Sequence, residues 1–194
     1  WTLPSYQPTI EPNALQVKKI LTQLKKAKKP LIVAGGGVNY ANAAEELQAF
    51  AERYNIPVVS TLLSLGVMPI EHPLSLGMGG MHGSYASNMA LMECDFMINF
   101  GCRFADRLTG NPDTFAADAV VAHVDIDPAE IGKVVKTKIP IVGDAKAALQ
   151  ILLEAEPVKT RHEDWTDSVL ANKAKAPFSY KFDENIIKPQ HAIA

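Results

Sequence analysis

Cysteine is scarce in this 194-residue chain, which has only Cys94 and Cys102. Both sit in or beside apolar runs without a pairing signature, so a disulfide scaffold is excluded and buried thiols in a reducing, cytoplasmic setting are expected. No apolar stretch reaches the ~20 residues needed to cross a bilayer. The head, Trp1–Pro12, has neither the basic nor the apolar region of a secretory signal. An excess of one charge is also lacking. The 19 Lys and Arg against 21 Asp and Glu leave a formal charge of −2 and a pI near 6.2, so neither nucleic acid nor a membrane surface is an expected partner. The one basic cluster is Lys18, Lys19, Lys25, Lys26, Lys28 and Lys29. It falls largely off the apolar stripe Val17, Ile20, Leu21, Leu24 and reads as a solvated helix face. His72, His82, His123, His162 and His191 have no partner at metal-ligand spacing. Internal repeats, a P-loop, a glycine-flanked serine and a catalytic acid/base pair are absent too. The chain opens on Trp rather than Met, as a processed or excised piece would.

What is present is a regular alternation. Residues 1–12 hold three prolines and read as an extended linker. Asn13 is an N-cap candidate for a helix to about Ala27. PLIVAGGG is a buried strand that stops at glycines, followed by helical spacing from Ala41 to Tyr54 and a second strand, IPVVS. Residues 61–83, rich in Gly, Pro and Met, read as a long irregular connection, and a helix resumes over 84–92. Three further strands are expected at 95–101, 119–127 and 139–144, the last leading into a helix with Ala145, Ala148, Leu149 and Leu152 on one face. Strands alternating with helices of this length predict a three-layer α/β domain, a doubly wound parallel sheet of Rossmann-like kind, over residues 13–156. Residues 157–194 are weakly periodic and read as a linker leaving that domain.

Ligands of such sheets bind beyond the carboxyl ends of the strands, where the strand order reverses. Four strand ends carry unusual residues. Gly35, Gly36 and Gly37 permit a tight turn and the approach of a diphosphate, or serve only as the turn. The dinucleotide fingerprint is incomplete: Tyr40 stands where a third small residue belongs, and the second strand ends Ser60-Thr61-Leu62 without a ribose-binding acid. Gly79-Gly80-Met81-His82-Gly83 would suit a flat amphipathic ring lying on backbone. In Gly101-Cys102-Arg103-Phe104-Ala105-Asp106-Arg107-Leu108, two arginines four apart supply planar donor forks for a diphosphate or for flavin carbonyls, unless Asp106 neutralises one of them. Asp125-Ile126-Asp127-Pro128 and Gly143-Asp144-Ala145 place acids where ribose hydroxyls or an adenine amine could be accepted. Asp127 and Asp144 also fit simple helix N-caps.

These segments, in this order, resemble the middle domain of the acetohydroxyacid (acetolactate) synthase large subunit. The matching stretches are IPVVSTLLSLG, MGGMHG, FGCRFADRLTG, HVDIDPAEIGK and IVGDA, and IIKPQHAI resembles the start of the family's thiamine-diphosphate domain. The resemblance covers nearly the whole chain. It implies a DHS-like NAD/FAD-binding domain that holds FAD. It also implies a full-length enzyme that uses thiamine diphosphate and Mg2+, bound elsewhere, to condense pyruvate with pyruvate or 2-ketobutyrate in branched-chain amino-acid synthesis. A homo-oligomer with a small regulatory subunit is the implied assembly, and flanking domains of the same chain are implied partners. The resemblance assigns to FAD the residues Gly35, Gly36, Gly37, Thr61, Leu62, Met81, His82, Gly101, Arg103, Asp106, Arg107, Leu108, Asp125, Ile126, Gly143, Asp144 and Ala145. No catalytic residue and no metal ligand falls within the chain. Two departures stand out: Ala105-Asp106 where the family often has two acids, and Asp125 where many members have Glu. Because contacts from other domains lie outside it, the chain alone is expected to lack synthase activity and to bind FAD weakly or not at all. The middle domain of pyruvate oxidase or another thiamine-diphosphate enzyme, a free-standing NAD-dependent dehydrogenase, and a non-catalytic scaffold domain are the alternatives.

Overall fold

Asn13 begins the first helix as its sequence predicts: its side-chain oxygen accepts the amides of Leu15 (3.0 Å) and Gln16 (3.2 Å), two donors that helix geometry leaves without partners. The structure, a computed structural model, describes residues 7–175 together with Ile186, Ile187 and Pro189. Helix α1 (Ala14–Leu24) buries Val17, Ile20, Leu21 and Leu24, and the six lysines around it are all exposed. Full burial of one such side chain stabilises by about 1.5–3 kcal/mol, so this stripe outweighs the helix's weak capping interactions.

The remaining elements are β1 (Pro30–Ala34), α2 (Gly36–Tyr40), α3 (Ala44–Tyr54), β2 (Val58–Ser60), β3 (Ser75–Met78), α4 (Tyr85–Glu93), β4 (Phe96–Phe100), α5 (Asp106–Thr109), β5 (Val120–Asp125), β6 (Ile139–Val142), α6 (Ala145–Glu154) and α7 (Glu163–Lys175). The six strands form one sheet in the order β3-β2-β1-β4-β5-β6, and every neighbouring pair is parallel. Strand residues alternate between two cores. Ile32, Ile98, Phe100, Ala122 and Val124 face α1, α3 and α6, while Leu31, Val33, Met97 and Val121 face α4 and α7. That is the expected three-layer, doubly wound α/β architecture.

Three details differ from the sequence reading. The 61–83 connection contains an edge strand, β3, concealed in the sequence by its brevity and by Gly77 within it. Residues 163–175, expected to belong to a linker, instead form α7, which buries Trp165, Thr166 and Val169. The indole Nε1–H of Trp165 donates to the Pro30 carbonyl (2.9 Å) and the Thr166 hydroxyl to that of Asn55 (2.8 Å). His162 donates from Nε2 to the Tyr54 carbonyl (2.7 Å), so the open carbonyls at the end of α3 are closed by α7. Lys173 reaches the carbonyl of Ser75 on β3 (2.7 Å). The head is docked as well, since Ile10 accepts the amide of Asp144 (2.8 Å) and Pro12 is buried against Gly143. The rest of the two linker assignments, residues 1–6 and nearly all of 176–194, lies outside the described residues.

Candidate functional site

The strand order reverses between β1 and β4, and the chain has glycine at the carboxyl end of both. The turns touch backbone to backbone. A Cβ on Gly35 would stand 2.2 Å from the Gly101 carbonyl oxygen, and one on Gly101 2.5 Å from the Gly37 Cα. The amide of Gly35 donates to the Phe100 carbonyl (2.9 Å) and that of Gly37 to the Gly101 carbonyl (3.0 Å). Two of the three amides expected to meet a diphosphate therefore join the turns to each other. Gly35 is removed from the site by this packing, while Gly36 and Gly37 face it.

A cavity of about 880 Å³ opens above this junction. Its walls come from every strand end singled out in the sequence. Gly36, Gly37, Thr61 and Leu62 line one side, and Met81, His82, Gly101, Arg103, Arg107 and Leu108 line another. Asp125, Ile126, Gly143, Asp144 and Ala145 close the third. Asp106 is absent from the walls. It opens the short α5, is exposed, and its carboxylate accepts the neighbouring Arg107 amide (2.9 Å). The lining also includes Gly79, Cys102 and Ala105 from within the segments singled out above, together with Tyr40, Ala41, Leu63, Met78 and Val124, which were not assigned to the ligand. Tyr40 lies one turn beyond Gly37 on α2, and Leu63 adjoins Leu62; adjacency within the same turns was the available signal.

The loops are fixed from behind. Gly80 adopts φ 96° and donates its amide to the Asn88 side chain (2.8 Å), whose own amide returns to the Gly80 carbonyl (2.9 Å). Met81 then donates its amide to the Arg107 carbonyl (2.8 Å), so the methionine-histidine loop and the arginine loop form one unit. Phe104, between the two arginines, has φ 54°, a left-handed conformation that costs a non-glycine residue about 1 kcal/mol or more. Burial of its ring against Phe115 and His123 compensates, and Arg103 on one side and Arg107 on the other are left exposed.

Neither arginine is within salt-bridge distance of a carboxylate among the described residues, so the neutralisation weighed for Asp106 does not occur. Arg107 lies with Nη1 3.5 Å from the Met81 sulfur. Asp144 caps α6, accepting the amides of Lys146 (2.9 Å) and Ala147 (3.1 Å), and still lines the cavity. Asp127 accepts the amide of Ala129 (2.9 Å) but begins a turn, not a helix. Large apolar side chains stand open at the rim, with Leu62 69% and Met81 62% exposed. Burial pushes the Cys102 thiol in the wall up to about 11 and the Cys94 thiol before β4 up to about 12, so neither is a nucleophile. Among the described residues no cluster of three or more potential metal ligands occurs, and no helix is long and apolar enough to cross a membrane.

The site combines arginine donors, apolar side chains and glycine backbone, with His82, Asp125 and Asp144 also in its lining. A family model described as the central domain of thiamine pyrophosphate enzymes matches residues 17–152. The acetolactate synthase large subunit of Lactococcus lactis is 53% identical over 191 residues, covering 98% of this chain and 33% of that protein. The probable acetolactate synthase large subunit of Methanocaldococcus jannaschii is 46% identical over 98% of the chain and 33% of its own length. That of Corynebacterium glutamicum is 46% identical over 98% and 31%, respectively. This chain thus spans about a third of the length of the curated relatives it matches. It belongs to the family of thiamine pyrophosphate enzyme central domains.

Proposed function

We propose that the cavity holds FAD, and that the chain is the central domain of an acetolactate synthase large subunit. The full-length enzyme, in this reading, condenses pyruvate with pyruvate or 2-ketobutyrate on thiamine diphosphate and Mg2+ held outside this chain. The observation that carries the reading is the pair of guanidinium groups, without carboxylate partners among the described residues, at the rim of a cavity floored by glycine turns. Its volume of about 880 Å³ sits at the upper end of ordinary ligand sites, as a dinucleotide needs.

The residues present fit the group. Arg103 and Arg107 offer planar forks to diphosphate oxygens or to the carbonyl edge of the flavin ring. Asp125 can accept a ribose hydroxyl or an adenine amine, while Leu62 and Met81 supply apolar area for the ring faces. The flavin supplies no electron to the net reaction, so the domain's task is binding and orientation. In this reading the chain binds and orients the cofactor, and turnover belongs to the full-length enzyme.

The test is purification of the full-length polypeptide with added FAD, followed by gel filtration and a visible-absorbance scan. Flavin should travel with the protein, and replacing both Arg103 and Arg107 with Ala should release it. A full-length polypeptide that excludes FAD but retains NADH would overturn the reading. The 194-residue chain alone, given pyruvate, thiamine diphosphate and magnesium, should show no turnover.

A further inference from the structure

The row Val121, His123, Asp125 on β5 faces the α4 and α7 side of the sheet, and its middle member is unlike its neighbours. His123 is 0% exposed, and neither of its ring nitrogens has a hydrogen-bond partner among the described residues. A buried polar group left without a partner is costly, and a Val or Leu at this position would avoid that cost. Its surroundings offer almost nothing polar. The Phe104 ring stands edge-on with centroids 5.1 Å apart. Asn99, directly across on β4, spends its side chain on Cys102, donating to that carbonyl (2.7 Å) and accepting that amide (3.1 Å).

One group is within reach. Oδ2 of Asp125 lies 3.7 Å from His123 Nε2. Asp125 is itself only 7% exposed, and its other oxygen accepts the Asp127 amide (3.0 Å). Asp125 lines the cavity, whereas His123 does not and is fully buried behind it.

We propose that His123 is a positioning residue for the cavity: it donates its Nε2–H to Asp125 Oδ2 from beneath the floor, so that the carboxylate is held on both oxygens and presents its remaining lone pairs to the ligand. A movement of under 1 Å turns the present approach into a hydrogen bond of ordinary length. With Oδ1 on the Asp127 amide and Oδ2 on the imidazole, the carboxylate plane is fixed before the ligand arrives, and less rotational freedom is lost on binding. His123 touches no ligand in this arrangement; it acts through Asp125. The inference rests on the FAD reading only for the identity of the ligand.

Two measurements decide it. In the 194-residue chain, nitrogen-resolved NMR of the histidine rings should show His123 carrying a slowly exchanging proton on Nε2. Its shift should move in Asp125→Asn and stay put in Asp106→Asn. Protonation at Nδ1, or indifference to Asp125→Asn, overturns the proposal. In the full-length polypeptide, flavin-fluorescence titration should show His123→Leu weakening FAD binding about tenfold, the equivalent of one lost hydrogen bond, with His123→Gln restoring most of it. In an Asp125→Ala background, His123→Leu should have no further effect. An equal loss in both backgrounds marks a packing defect and sinks the proposal. If the unaltered full-length polypeptide takes up no FAD, the cavity reading fails, and the ring-nitrogen measurement still decides the His123–Asp125 contact by itself.

Discussion

The two ends of the same sheet are built to opposite rules. At the amino ends of the strands, polar groups find partners within the domain. The Asp95 carboxylate accepts the amides of Lys28 and Lys29, both at 2.8 Å; Pro30 offers its carbonyl to Trp165; and the Lys29 ammonium lies 5.4 Å from the centre of that indole ring. At the carboxyl ends, two arginines have no carboxylate partner among the described residues, and several large apolar side chains stand open. Yet the backbone beneath them is packed so closely, glycine on glycine, that a Cβ on Gly35 or Gly101 has no room. An end that satisfies itself sets stability. One whose scaffold is rigid and whose side chains are unsatisfied is prepared for something else to complete it.

Substitutions at the two ends should therefore separate stability from binding. The largest effect is expected for Gly101→Ala, which combines φ 62° with a Cβ 2.5 Å from the Gly37 backbone. Chemical denaturation should show a loss of at least about 3 kcal/mol, and FAD binding should fall with it because the junction underlies both. Trp165→Ala, at the other end, should cost about 3 kcal/mol through lost packing, with the FAD affinity of the folded protein within about twofold of the original. A large change in affinity there would break the division between the ends. Arg103→Ala and Arg107→Ala should each weaken FAD binding about tenfold while denaturation midpoints shift by less than about 0.5 kcal/mol.

The smallest effect concerns the thiols, which lie at opposite ends of β4 and should behave alike. Burial raises them to about 12 (Cys94) and about 11 (Cys102) from an ordinary value of 9.0. A group whose folded value is raised keeps its full contribution to stability below its unfolded value. That contribution is then lost as the pH climbs from about 9 toward 11 and 12. Alkylation at neutral pH should leave both untouched until denaturant is added, and replacing both with Ala should make the alkaline decline shallower.

Much of this was legible in the sequence because it is local. The apolar runs of β1, β4 and β5 announce buried parallel strands, and Asn13 and Asp144 announce the helix starts they cap. The strand-end motifs also converge on one cavity, since sheet topology brings every carboxyl end to the same edge. What could not be read is long-range. Gly35 sits with its Cα against the turn at Gly101 rather than in the cavity wall, a pairing no local pattern encodes. Phe104 takes a left-handed backbone because of rings brought from 115 and 123. Helix α7 escaped because Trp165 and Val169 make a stripe only two residues long, and its worth comes from hydrogen bonds to Pro30 and Asn55, more than a hundred positions away.

Lys173 bears on how copies of the chain avoid one another. β3 ends the sheet, so one of its sides offers open amides and carbonyls on which a foreign strand could assemble. The ammonium held on the Ser75 carbonyl, with a second contact to Ile70 at 3.3 Å, would have to be stripped away and buried before any such strand could settle. By holding that cation on an outer carbonyl of β3, α7 places a charge where another strand would have to add, one of the ways an exposed sheet edge is protected.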